Sequence, residues 1–250
     1  PVGRACEIGF GFAAAAARRL LSKFGPHGSL RLGRLLRNTK LGGTDMVDHE
    51  GNNRRSGLRS TDPALADLFD ARLALSVVDA DHLVELMTRV AELAVEYIAG
   101  ADHAGITVVL DTSAPLTVGP TDERVEIFDR SQYELDVGPC LLATRSDRFV
   151  DVDLPEMSRL WPDLAEVSRK CGITRVFAAP LHRHNESVGS LNLYTDSRTT
   201  VVVSSTSPVL LALLEHLDTG MSDYSDTLAA ARRAEVLRSA LDDRASVDFA

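Results

Sequence analysis

The chain is 250 residues long, 44% hydrophobic and 25% charged, an ordinary globular composition with room for one large or two small domains. Its net charge of −9 is unevenly placed: residues 1–60 carry 11 Lys and Arg against 4 Asp and Glu, and residues 61–250 carry 16 against 32. A body of that sign repels phosphate backbones, which argues against nucleic-acid binding by the central part and favours small ligands or protein partners.

Cys6, Cys140 and Cys171 show neither a metal-ligand spacing nor an even disulfide set, which fits a reducing cytoplasm. The apolar stretch Ile8 to Ala17 falls well short of the roughly 20 residues that cross a bilayer, so no membrane association is expected. No basic region precedes it, which leaves a secretory signal unsupported. A chain that opens on Pro1 in place of Met reads as a fragment, a processed form or an incomplete translation.

Within residues 1–60, Ala13 to Ala17 followed by Arg18-Arg19-Leu20-Leu21 fits a short helix. The Gly-, Arg- and Asn-rich sequence after it has no sustained periodicity and cannot bury enough surface to offset chain entropy, so this basic segment is expected to be disordered. Order begins at Thr61-Asp62-Pro63, a capping side chain followed by Pro in the first helical turn, with a helix from Ala64 to about Ser76. A second start lies in Asp79-Ala80-Asp81. Leu83, Leu86, Met87, Val90, Leu93, Ala94, Tyr97 and Ile98 then recur at the spacing of a buried helix face, and Gly100 ends it.

Ala104 to Leu110 changes to strand content, and Asp111 to Pro115 turns into a second strand, Leu116 to Val118. Thr121-Asp122 caps a helix carrying Val125, Ile127, Phe128 and Tyr133. Gly138-Pro139 breaks the chain, Cys140 to Thr144 makes one helical turn, and Phe149 to Val152 is a short strand. A helix runs from Leu160 or Pro162 to Lys170 with Gly172 after its end. Arg175 to His182 and Ser187 to Tyr194 then pair as a hairpin around Arg183-His184-Asn185-Glu186. The order is that of an α+β domain, an antiparallel sheet with helices packed on one face.

After Pro208 one long helix is expected. Leu210, Leu214, Leu217, Met221, Tyr224, Leu228 and Ala231 step by four and three, a heptad seam suited to a homodimer through the terminal helices. A core helix with an extension is the alternative. Gly220 weakens the helix by up to about 1 kcal/mol and allows a bend.

Several blocks together carry a family resemblance: Ala101-Asp102-His103-Ala104-Gly105, Gln132-Tyr133-Glu134, Gly138-Pro139-Cys140, Arg159-Leu160-Trp161-Pro162, Ala179-Pro180-Leu181 and Gly189-Ser190-Leu191-Asn192-Leu193-Tyr194. They resemble a GAF domain of the kind that actinobacterial regulators join to a C-terminal ANTAR module. The resemblance spans about Asp62 to Tyr224. It implies an antiparallel sheet of five or six strands with the first and last helices on one face and a ligand pocket on the other. Leu237 to Ala250 is similar to the opening helix of an ANTAR module, which binds hairpins in nascent RNA to prevent termination. On this resemblance residues 61–222 are the sensor domain and residues 223–250 are a linker helix and the start of a truncated module. RNA would be a partner only through a complete module. Val137 stands where the group usually has Glu, so no ligand is carried over. The Asn-Lys-Phe-Asp-Glu signature of cyclic-nucleotide-binding members is absent.

Tyr133, Cys140, Trp161, Phe177 and Tyr194 are the candidate ligand-binding residues, aromatic walls with a few polar groups being the usual lining of a small-molecule pocket. Cys140, after a Gly-Pro turn, reads as an inert buried thiol, since no base or resolving Cys adjoins it; a redox-active or bilin-bearing thiol is the sharper alternative. Paired with Cys171, it would give the GAF-fold enzymes that reduce free methionine sulfoxide, whose flanking pattern this chain lacks. His182 and His184 share one strand face, yet no third ligand is spaced to join them, so a solvated hairpin tip is expected in place of a metal site. Asp151 and Asp153 read as surface charge. No nucleophile motif, phosphate loop or catalytic carboxylate pair is visible, so no enzyme is expected. The expected function is a cytoplasmic sensor of an unidentified small molecule that signals through its terminal helices to the antitermination module; a ligand-free structural dimerisation domain is the alternative.

Overall fold

The computed structural model describes residues 72–73, 77–109, 114–196 and 203–247, with side chains of the last helix described through 231 and at 233 and 234. The basic segment over 1–60, most of the helix expected over 64–76, and the turn at 111–113 lie outside the described residues.

Helix α1 (Ala80–Tyr97) starts where Asp79 accepts the His82 N–H at 2.9 Å. Strands β1 (His103–Val108) and β2 (Leu116–Val118) follow, then α2 (Glu123–Leu135), α3 (Pro139–Ser146), β3 (Val150–Asp153), α4 (Leu154–Leu160) and α5 (Pro162–Cys171). Strands β4 (Arg175–Arg183) and β5 (Glu186–Thr195) form the long hairpin, and α6 (Pro208–Val247) is the last element described. The five strands make one antiparallel sheet in the order β2-β1-β5-β4-β3. This is the α+β architecture the sequence implies.

Period-two alternation sorts the strand residues between two cores. Ala104, Ile106 and Val108 of β1, Phe177, Ala179 and Leu181 of β4, and Leu191 and Leu193 of β5 pack with α1 and α6. Val176 and Ala178 of β4 and Tyr194 of β5 pack with α2, α3, α4 and α5 on the opposite face. The terminal helices thus share one face as expected, and the short helices cover the other.

Leu210, Leu214, Leu217, Met221 and Tyr224 of α6 are all buried. The heptad seam is therefore filled by the chain's own α1 and sheet through Tyr224, a correction to its reading as a surface for self-association. Gly220 marks close approach: a Cβ there would lie 2.3 Å from Leu86 Cδ2 on α1, and α6 continues through it without interruption.

Four local expectations are revised. Helix α4 was not foreseen; Asp153 caps it by accepting the Glu156 N–H at 2.8 Å, with Pro155 in its first turn. Asp151 meets Arg175 at 2.6 Å, so neither aspartate is idle surface charge. The hairpin turn is shortened to His184-Asn185, with His184 at φ 56. Helix α3 extends to eight residues from the single turn expected.

At the sheet's end away from the hairpin tip, Arg124 at the start of α2 donates to Asp196 Oδ2 at 2.7 Å and to Asp122 Oδ1 at 2.9 Å. His103 of β1 lies 3.1 Å from the same Asp196 oxygen. The cluster ties α2 to the ends of β1 and β5.

Candidate functional site

The face of the sheet under α2 and α3 holds a set of buried polar side chains in an otherwise apolar core. Thr107 of β1, Ser190 and Asn192 of β5, and Asp129 and Gln132 of α2 have no exposed surface. The helical spacing of Val125, Phe128, Asp129 and Gln132 sets a carboxyl and an amide on the buried face of α2. Gly105 on β1 admits that face closely, since a Cβ there would lie 2.9 Å from Val125 Cγ1.

Asp129 is the centre. Its Oδ1 accepts from Tyr194 Oη at 2.5 Å and Gln132 Nε2 at 2.9 Å, with the Cys140 thiol at 3.7 Å. Its Oδ2 accepts from Thr117 Oγ1 at 2.9 Å. Burial pushes the carboxyl up to about 6, and the hydrogen bonds from Tyr194, Thr117, Cys140 and Gln132 hold it from rising further. No Lys, Arg or His hydrogen-bonds to it among the described residues, so the site carries an uncompensated negative charge when Asp129 ionises.

Gln132 fixes the start of α3. Its Oε1 accepts the Cys140 N–H at 3.1 Å, and its Nε2 lies 2.9 Å from Cys140 Sγ. Gly138, at φ 125, provides the turn; a Cβ there would lie 2.3 Å from Gln132 Oε1. Ser190 Oγ donates to the Cys140 carbonyl at 3.2 Å, while Tyr194 Oη lies 3.6 Å from Cys140 Sγ. Residues 190 and 194 flank Asn192 on the same strand face, and both reach Cys140 at the start of α3.

A second run of contacts joins the same parts. Asn192 Nδ2 donates to Thr107 Oγ1 at 2.8 Å, Thr107 Oγ1 lies 2.9 Å from Tyr133 Oη, and Tyr133 Oη lies 2.8 Å from Thr117 Oγ1. Asn192 Oδ1 is buried and meets no donor among the described residues.

Of the residues read from sequence, Tyr133, Cys140 and Tyr194 meet around Asp129. Trp161, half-buried between α4 and α5, packs on the edge of the same apolar cluster outside the hydrogen-bonded set. Phe177 is corrected: it points to the opposite face, where its ring stacks on Phe149 with centroids 5.9 Å apart. Sequence reasoning missed Asp129, Gln132, Thr107, Thr117, Ser190 and Asn192 as site residues. The available signal was polar residues at alternate places in apolar strands and an acid on a helix face shared with Val125 and Phe128.

The thiols are not set for nucleophilic chemistry. Burial, then the Asp129 carboxylate, pushes Cys140 well above its ordinary value, and burial raises Cys171. Both are free. Among the described residues no three His, Cys, Asp or Glu are placed to hold a metal ion.

The hairpin connects this face to the other. His182 Nε2 lies 2.7 Å from Asp147 Oδ1, just past α3, and Nδ1 lies 3.4 Å from Asp218 Oδ2 on α6. The His182 N–H also donates to Asp218 Oδ1 at 2.9 Å, and the His184 N–H to Ser222 Oγ at 2.9 Å. His182, with its side chain 15% exposed, is thus a bridge between α3 and α6, which corrects its reading as a solvated tip.

No family model and no curated protein matches the sequence. Solved structures resemble its fold. The GAF domain region of a membrane protein from Geobacter sulfurreducens PCA is 17% identical, covering 66% of this chain and 99% of its own, at a TM-score of 0.42. The phycocyanobilin-bound GAF domain of a cyanobacterial phytochrome is 13% identical, covering 65% and 94%, at 0.45. The free methionine-R-sulfoxide reductase of Neisseria meningitidis, in complex with its substrate, is 15% identical, covering 65% and 89%, at 0.47. These are likenesses of outline, and the functional reading is built on the chain's own residues. Among the described residues no helix is long and apolar enough to cross a membrane.

Proposed function

We propose that this chain is a cytoplasmic sensory domain that binds a small molecule on the α2/α3 face of its sheet and signals through α6 to an RNA-binding antitermination module of the ANTAR type. One observation carries the reading: a buried polar site centred on Asp129 lies under α3, and α3 is linked through Asp147, His182 and Asp218 to α6. A carboxyl and its partners cost free energy to bury, and such groups concentrate where a protein binds or reacts. The start of α3 is held by Gln132, Ser190 and Tyr194, the groups a ligand would engage. A molecule preferring one position of α3 would move Asp147 against His182 and shift α6, by no more than its difference in affinity for the two arrangements.

The output half is supported by the similarity of Leu237 to Ala250 to an ANTAR opening helix. Self-association, if it accompanies signalling, would use α6 beyond Tyr224, because the seam before it is buried. A thiol-reductase role is disfavoured by the buried, protonated thiols.

A thermal-shift screen of metabolites on the full chain tests the sensor half. The expected result is at least one compound that raises Tm in the wild type and loses most of that effect in Tyr133→Phe. A screen in which nothing raises Tm would contradict the proposal. For the output half, RNA-hairpin binding by the chain joined to a complete ANTAR module should change when that compound is added.

A further inference from the structure

The hydrogen-bond geometry has a direction. An ionised carboxylate can only accept, so Thr117 donates its hydroxyl proton to Asp129 Oδ2. Having one proton, Thr117 Oγ1 must accept from Tyr133, and Tyr133 Oη must then accept from Thr107. Thr107, its proton spent, accepts from Asn192 Nδ2. The run from Asn192 through Thr107, Tyr133 and Thr117 to Asp129 is therefore polarised one way along four bonds of 2.8–2.9 Å. The amide of Asn192 is oriented by the same logic, with Nδ2 turned into the run and Oδ1 turned away from it.

Oδ1 is the far end. It is buried and lacks a donor among the described residues, and Ser190 and Tyr194, its neighbours on the same strand face, both reach Cys140 at the start of α3. Each dipole in the run points its positive end towards Asp129, so the carboxylate's negative potential reappears at the amide oxygen. Among the described residues no Lys, Arg or His joins the run to offset it.

We propose that Asn192 Oδ1 is the recognition atom for a small molecule bearing a protonated amine or guanidinium, whose N–H it accepts beneath Cys140. The assignment rests on the sensor reading and names its ligand class. The N–H supplies the missing donor and the cation answers the charge of Asp129, whereas a ligand offering only acceptors would meet a like dipole. Room for the group is made by lifting the first turn of α3, which places recognition at the part of the molecule tied to His182 and α6.

The test is an NMR titration of the 15N-labelled full chain with methylammonium chloride, and in parallel with tetramethylammonium chloride, which has the same charge and no N–H. The Asn192 side-chain amide is assigned by its loss in Asn192→Leu, and the backbone amides of Ser190 and Leu191 serve as a second readout. The expected result is a saturable shift of these signals by millimolar methylammonium, at least several-fold weaker with tetramethylammonium and abolished in Asn192→Leu. No saturable shift in the wild type, or an equal one with both cations, overturns the assignment. If that happens while a screened metabolite still stabilises the chain, the ligand class falls and the sensor reading stands. If methylammonium binds as expected while the amides of α6 never respond to it or to any metabolite, the assignment stands and the signalling reading falls.

Discussion

At the scale of the residue, Asp129 decides most. Its carboxyl is raised to about 6 by burial, which means the fold binds the protonated form better than the unfolded chain does. The stabilisation that comes from this proton is complete below the unfolded carboxyl's range and is lost as pH rises through about 6. Asp122, held low chiefly by Arg124, and Asp196, held low chiefly by His103, work in the opposite sense, adding stability that is lost on acidification. Comparing the wild type with Asp129→Asn cancels those two. Denaturant unfolding should show the wild type losing about 2 kcal/mol relative to the variant between about pH 4.5 and 7.5; a constant difference would mean the carboxyl is not held high. Tyr194→Phe removes the 2.5 Å donor to Asp129 and should cost about 1–3 kcal/mol at neutral pH, measured the same way.

At the scale of the element, close approach is bought with glycine. Gly189 faces the Thr107 carbonyl on β1, where a Cβ would sit 2.1 Å from the oxygen, and backbone cannot swing aside. Gly189→Ala should therefore cost about 3 kcal/mol or more by thermal unfolding. Gly220→Ala meets the flexible end of Leu86 and gains about 1 kcal/mol of helix propensity, so its net cost should be smaller than that of Gly189→Ala. These elements were mostly legible in the sequence, because periodicity and caps act locally: Asp79 and the Leu83 to Ala94 face set α1, and Asp122 sets α2. Helix α4 is signalled only by Asp153-Leu154-Pro155, a cap and first-turn proline, and at seven residues it is too short to show a helical period. The site was half legible. Tyr133, Cys140 and Tyr194 stand in recognisable blocks, whereas Asp129 and Thr117 become site residues only when α2 crosses β1 and β2. Phe177 was misplaced because its face depends on strand register, and the buried seam of α6 because spacing alone does not say which surface fills it.

At the scale of the whole molecule, one sheet separates two cores, a polar-centred one beneath the short helices and an apolar one beneath α1 and α6. The hairpin tip spans them, with His182 and His184 reaching Asp147, Asp218 and Ser222. Removing the bridge in His182→Ala should leave compound binding within a few-fold of wild type by calorimetry while weakening its effect on α6. Hydrogen–deuterium exchange of the full chain, with and without the compound giving the largest thermal shift, tests the coupling most directly. The account predicts that exchange changes together in residues 139–147 and in residues 208–224 of the wild type, and that His182→Ala keeps the first change and loses most of the second. A bound compound that alters exchange over 139–147 and leaves 208–224 of the wild type unchanged would contradict it.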